Sequence, residues 1–176
     1  MIDEIEVKAV TNYDQVQKID IFQNLNEDEI NLLISNSKSR TFQPNEVIVN
    51  QNDEGDSLFI ILAGNARVSL NKDGKDIKLG LLSPGDTFGE FSLLTGDRRS
   101  ATVMAINHLE SMEISKDALK SIIEKKPELI DDLSLIMAER QKANKTLNEK
   151  HKKLSAKEII DHYKAEFSKK IKAFFN

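Results

Sequence analysis

The stretch Phe88-Gly89-Glu90-Phe91-Ser92-Leu93-Leu94-Thr95-Gly96-Asp97-Arg98-Arg99-Ser100-Ala101-Thr102-Val103 concentrates the chemistry of this sequence. It reads as a strand end, a glycine, a short apolar helical turn, a second glycine turn and two arginines entering a strand. Free backbone N–H groups at the start of a short helix attract an anion. An arginine arriving from the far end adds a bidentate clamp for phosphate oxygens. A carboxylate beside the first glycine can accept hydrogen bonds from sugar hydroxyls. Glu90 and Arg99, nine positions apart, suit a ligand that carries both a hydroxyl and an anionic phosphate.

Other chemistries find little support. The chain has 0 Cys, which removes disulfide frameworks, Cys-ligated zinc, iron–sulfur clusters and thiol nucleophiles. Its 3 His (His108, His151, His162) are scattered, and no pair has metal-ligand spacing. No nucleophile–base pair stands out. The expectation is a non-enzyme without a cofactor, which binds its ligand and leaves it intact. Arg99 also has a plainer reading, a surface arginine paired with Asp97. Glu90 could simply complement a helix dipole. Phe88 and Phe91 read as core residues, since aromatics mostly contribute burial.

Those residues need a scaffold, and the sequence outlines one. All 7 Gly lie between Gly55 and Gly96, which marks a region of turns and short strands. Residues 13–37 read as helix, with Val16, Ile19, Phe22, Leu25, Ile30, Leu33 and Ile34 at helical spacing. Asn26 with Glu29 marks an N-cap that opens a second short helix. Strands are expected at Val47–Val49, Leu58–Leu62, Ala66–Leu70, Ile77–Leu81, Ala101–Ile106 and Leu109–Ile114. Asp73-Gly74 is a hairpin turn. Short strands at this density point to an all-β sandwich or barrel.

Beyond the strands the pattern is helical again. Ser115 caps a helix over Lys116–Lys125. Pro127 and Glu128 fit the first turn of a longer one, with Leu129, Leu133, Ile136, Ala143 and Leu147 on one stripe. Ser155 through Glu158 matches a capping box. It opens a helix bearing Ile159, Tyr163, Phe167, Ile171 and Phe174 on one face.

Charge follows the same division. The 176 residues carry a net charge of −4, yet 1–139 hold 14 Lys/Arg against 25 Asp/Glu, whereas 140–176 hold 11 against 4. An acidic body therefore precedes a basic tail. No apolar run approaches the ~20 residues of a membrane helix. The acidic N-terminus carries no signal-peptide pattern, so the expected location is the cytoplasm.

The stretch Phe88–Val103 closely resembles the phosphate-binding cassette of cyclic nucleotide-binding domains, found in catabolite-activator-type regulators, cyclic-nucleotide-regulated channels and kinase regulatory subunits. The likeness extends outward over roughly residues 20–150. Phe22-Gln23-Asn24-Leu25 is similar to the family's entry segment, Gln51 to Gly64 to its turn–strand–turn signature, and Leu82 to Glu90 to the run into the cassette. Asn52 stands where glycine is common, and Arg98 where proline is common. Asn52 tolerates a left-handed turn, and Arg98 reads best as a solvated surface residue.

The resemblance implies an antiparallel β jelly-roll barrel with N-terminal helices and C-terminal B/C-type helices, mainly β with flanking helices. The expected divisions are 1–39 (helical segment), 40–114 (barrel, with the cassette at 88–103), 115–150 (hinge and lid helices) and 151–176 (basic amphipathic extension). It implies that Arg99 clamps a cyclic phosphate and Glu90 accepts the ribose 2′-hydroxyl. The backbone around Gly89, Glu90, Phe91 and Ser92 would face the ligand, with Ser100 and Ala101 completing the site. Arg140, Asn144 and Lys145 are candidates to cap the base. Ser100 does not decide between cAMP and cGMP.

The expected role is a cyclic nucleotide sensor, signalling through its C-terminal helices to a protein partner or a second copy. A ligandless scaffold or dimerisation module is the alternative. The basic tail could touch a membrane surface, and DNA binding ranks last. With 26 residues after position 150, no effector domain such as a winged helix is expected.

Overall fold

The computed structural model describes residues 13–144 and 156–175, the side chains of Ala143, Asn144 and Ala156 excepted. The chain starts with a helical stretch, α1, over residues 13–17 and a 3-10 turn at Asp20–Phe22. Helix α2 (Glu27–Ser35) follows. Its start is the capping box that Asn26 and Glu29 encode. The Glu29 N–H donates to Asn26 Oδ1 at 2.9 Å, and the Asn26 N–H donates to Glu29 Oε2 at 2.8 Å. Phe22, Ile30 and Leu33 are fully buried, so this segment is anchored by its apolar stripe.

Among the described residues, eight strands form two antiparallel four-stranded sheets. They are β1 (Lys38–Phe42), β2 (Val47–Val49), β3 (Ser57–Ala63), β4 (Ala66–Lys72), β5 (Lys75–Leu82), β6 (Thr87–Phe88), β7 (Thr102–Ala105) and β8 (Leu109–Ser115). The orders are β1-β8-β3-β6 and β2-β7-β4-β5. Strand β3 explains its own unbroken apolar run. Phe59 and Ile61 face the barrel interior with Phe42, Phe88 and Leu109, while Leu58 and Ile60 face the helices with Met112 and Ile114. Both faces are buried, so no polar alternation is needed. At the β4–β5 hairpin, Asp73 and Gly74 both take positive φ (54° and 78°), as a type I′ turn demands.

Two short elements escape the sequence reading. No strand is expected at β1, and at β6 only a strand end. β1 is an edge strand with only Phe42 buried, so it carries no apolar alternation. It is defined by its register with β8, where Arg40 faces Ser111.

Three helices close the fold: α4 (Lys116–Lys125), α5 (Leu129–Asn144) and α6 (Ala156–Phe175). Ser115 caps α4 by accepting the Ala118 N–H at 3.3 Å. Lys126, just past α4, donates to the Asn24 carbonyl at 2.6 Å and pairs with Glu29 at 3.2 Å, which ties the helices of the two ends together. Helix α6 folds back over the body. Tyr163, Phe167, Ile171 and Phe175 are buried in the same apolar cluster as Leu93, Leu94, Leu133 and Met137. The described part of the basic amphipathic segment 151–176 packs its apolar face into the main core. The Ser155 cap and Leu147 lie outside the described residues.

Candidate functional site

The cassette begins where β6 ends. Gly89 takes φ 85°, and helix α3 (Glu90–Thr95) starts at the next residue. A side chain at Gly89 would meet Arg99 Nη1 at 2.3 Å and the Ser57 carbonyl at 2.9 Å. Glycine is therefore required twice, by backbone conformation and by the arginine behind it. Gly96 ends α3 in the left-handed region, with its N–H donating to the Ser92 carbonyl.

Arg99 returns beneath this turn. Nη1 donates to the Gly89 carbonyl at 2.9 Å and Nη2 to Ser57 Oγ at 3.2 Å. Gly55 approaches from the other side, where an added Cβ would lie 2.2 Å from Nε. The arginine backbone is held as well. Its N–H donates to the Asp53 carbonyl and its carbonyl accepts from Asn52 N–H, both at 2.8 Å. The result is an arginine only 5% exposed, whose guanidinium donates to neutral acceptors. Burial pushes its pKa down, and the more distant charges of Asp56, Glu90, Glu113 and Asp53 oppose that shift. Among the described residues no carboxylate forms an ion pair with it. Burying a cation without a counter-charge is costly unless an anion arrives. The surface-arginine reading therefore fails for Arg99, and Asp97 pairs elsewhere, with Lys170 at 2.8 Å.

Glu90 stands at the start of α3 with its side chain only 12% exposed, and Arg140 of α5 reaches it. Arg140 Nη1 lies 3.1 Å from Glu90 Oε1 and 3.3 Å from Thr87 Oγ1, while Nη2 lies 2.6 Å from Asp20 Oδ1. One side chain thus links the N-terminal turn, the cassette and the lid helix. Arg140, a base-cap candidate in the sequence, pairs with the Glu90 carboxylate in this structure. The side chain of Asn144 and all of Lys145 lie outside the described residues.

The remaining cassette residues divide by environment. Ser92 is buried, Ser100 is exposed and Ala101 is half-buried. The Phe91 ring turns away from Arg99 and packs edge-on against Phe167 at 5.8 Å. Phe88 stacks on Phe59 at 5.0 Å inside the barrel. Arg98 is solvated and donates to the Asn52 carbonyl at 2.8 Å, and Asn52 takes φ 70°, where its family position often has glycine. Val49 and Val68 are half-buried against the interior cluster that holds Phe88. The site as built offers a buried cation, a carboxylate at the cassette edge and an apolar wall. Among the described residues no cluster of His, Cys, Asp and Glu could hold a metal, and no helix is long and apolar enough to cross a membrane.

Sequence reasoning missed the Arg140–Glu90 pair and the docking of α6 on the cassette. Neither has a local signal, since the partners are far apart in the chain.

The chain is 29% identical over 121 residues to a cyclic AMP receptor protein of Thermus thermophilus, which covers 68% of this chain and 56% of that protein. It is 30% identical over 159 residues to cyclic nucleotide-gated channel beta-1 of Homo sapiens, covering 89% of this chain and 12% of the channel. The chain spans about half the length of the bacterial regulators it matches. In shape it is similar to the regulatory domain of Toxoplasma gondii PKA crystallised with cAMP, with TM-score 0.69 and 21% identity over 94% of this chain and 60% of that one. A family model described as "Cyclic nucleotide-binding domain" matches residues 39–126, from β1 through the cassette to the end of α4. With the glycine-flanked cassette and its buried arginine inside that match, the chain belongs to the cyclic nucleotide-binding domain family.

Proposed function

We propose that this protein binds a cyclic nucleotide, cAMP or cGMP, without turning it over, and that binding repositions its C-terminal helices. The observation that carries the reading is Arg99. The residue is buried, and its acceptors, the Gly89 carbonyl and the Ser57 hydroxyl, are neutral. A cyclic phosphate supplies the missing negative charge, and the backbone around Gly89, Glu90, Phe91 and Ser92 adds N–H donors. Glu90 keeps a second oxygen for the ribose 2′-hydroxyl while Oε1 holds Arg140. Ser100, solvent-facing beside Arg99, lies within reach of the phosphate or the base edge, and Ala101 leaves room there. Similarity to receptors and channels named for cyclic nucleotides supports the same ligand class.

Signal output follows from the lid. Arg140 joins α5 to Glu90, so a ligand hydroxyl on that carboxylate changes the balance of the joint. A ligand shifts the position of α5 only as far as it binds one position more tightly. A cytoplasmic location and a protein partner or second copy complete the proposal.

The test is a melting-temperature panel with cAMP, cGMP and cyclic dinucleotides. A ligand at 100 times its Kd stabilises by about 2.7 kcal/mol, which is a shift of several degrees in a chain of this size. No shift with either nucleotide at millimolar concentration overturns the proposal. That result would favour the second reading, a ligandless scaffold, for which one observation speaks: Arg140 already satisfies part of Glu90 from within.

A further inference from the structure

Helix α6 touches the cassette at three successive places. The Phe167 ring lies edge-on to Phe91, with centroids 5.8 Å apart. The Phe174 ring covers Gly96 so closely that an added Cβ would meet it at 2.7 Å. Lys170 Nζ donates to Asp97 Oδ2 at 2.8 Å. Phe174 is itself held by Lys116, whose Nζ sits 3.5 Å from the ring centroid. At the opposite end of α3, Arg140 of α5 holds Glu90. The pair α5 and α6 therefore grips the cassette helix at its first turn and just past its end.

The position of the α6 contacts matters most. Gly96 and Asp97 are the turn that leads into Arg99, two residues further on. Loop residues Asn52 and Asp53 fix the Arg99 backbone from one side, and α6 covers the turn before it. Without α6, Phe91 and the Gly96–Asp97 turn lose their cover, and the cassette loses a wall that keeps Arg99 beneath Gly89. The cassette that α6 contacts already has Gly89 left-handed and Arg99 in place. An anion and α6 thus select the same cassette conformation, which makes their binding mutually supportive.

From this juxtaposition we infer that α6 is a retaining arm that holds the cassette in its anion-ready shape, so that α6 docking and nucleotide binding strengthen each other. The nucleotide part rests on the function proposed above; the retention of the cassette does not. By reciprocity, bound nucleotide protects α6, and a loosened α6 weakens the nucleotide.

The experiment uses the full chain with Phe174→Ala/Lys170→Glu, which removes the cover at Gly96 and the pair at Asp97 but leaves the buried Tyr163, Phe167, Ile171 and Phe175 in place. Amide hydrogen exchange is read without ligand at residues 90–99, with α2 as the internal control, and Kd for cAMP and cGMP is measured by calorimetry. Exchange at 90–99 should accelerate while α2 is unchanged, and Kd should rise by about 5–10-fold, the low end of usual coupling. A charge exchange supplies the second variant. Asp97→Lys should loosen the cassette, and Asp97→Lys/Lys170→Asp should restore it. Unchanged exchange at 90–99 in both single-sided variants overturns the proposal whether or not a nucleotide binds. Faster exchange with an unchanged Kd overturns the coupling. If the parent binds neither nucleotide but its variants exchange faster at 90–99, the ligand assignment falls and the retaining arm stands.

Discussion

Replacing Arg99 by Met separates a ligand anchor from a structural cation. Methionine keeps a flexible stem of similar reach and removes the charge. In the ligand-free fold the change has two opposed effects. It deletes two hydrogen bonds from a charged donor, to the Gly89 carbonyl and Ser57 Oγ, each contributing about 1.5–3 kcal/mol. It also relieves the burial of an ion, which costs several kcal/mol in a site this closed. The Gly89 carbonyl is not orphaned, because it still accepts the Leu93 N–H at 3.1 Å. The terms nearly cancel, so the variant should be between equal to the parent and about 2 kcal/mol more stable. That corresponds to a melting temperature unchanged or raised by a few degrees, at about 2–4 °C per kcal/mol.

Binding has no such compensation. Two charge-assisted hydrogen bonds to a phosphate are lost, together about 3–6 kcal/mol, which is a roughly 10²- to 10⁴-fold rise in Kd. Thermal unfolding with and without nucleotide reads both effects in one series. A ligand-free variant that melts more than about 3 kcal/mol below the parent would mean that Arg99 is part of the architecture rather than an anchor. A variant that keeps the parent's ligand-induced shift would refute the site.

Further outcomes follow from the same geometry. Gly89→Ala forces a left-handed residue against Arg99 and the Ser57 carbonyl. It should destabilise by about 1–3 kcal/mol in denaturant titration and abolish nucleotide binding. Asn26→Ala removes the reciprocal cap of α2 and should cost about 1 kcal/mol, with little effect on nucleotide affinity. Asp97 gives a pH signature. Its hydrogen bond to Lys170 holds the carboxyl below the usual aspartate range. A depressed folded pKa contributes stability above the unfolded value, and that contribution is lost as pH falls through the folded value. The α6 anchor should therefore be intact at neutral pH and weaken below about pH 4. The change should be small, since both side chains are partly solvated, and it is measurable as line shifts of Lys170 in an NMR titration.

Much of this protein is local chemistry, and local chemistry is legible in a sequence. The Asn26/Glu29 box, the Ser115 cap, the Asp73-Gly74 hairpin and the glycine-bounded cassette each depend on residues within a few positions of one another. The apolar run of β3 and the stripe of α5 announced their burial in the same way. A β sandwich or barrel with flanking helices was readable from these pieces together, and the resemblance of the cassette to its family narrowed it to the antiparallel jelly-roll barrel.

What tertiary structure alone decided are pairings across long stretches of chain. Strand β1 exists because β8 pairs with it, and its exposed residues carry no signal of that. Arg140 is 50 positions from Glu90, so composition could place it only near a ligand and not on that carboxylate. An amphipathic face does not say what will cover it, so the place where the basic tail packs had no local signal. Folding spends that face on the cassette and on α5, where Phe167, Ile171 and Phe175 leave water. Sequence determined the groups that can hold a phosphate and a ribose. The long-range packing decided that Arg99 would be buried with neutral groups as its direct hydrogen-bond acceptors and that α6 would lie against the turn leading to it.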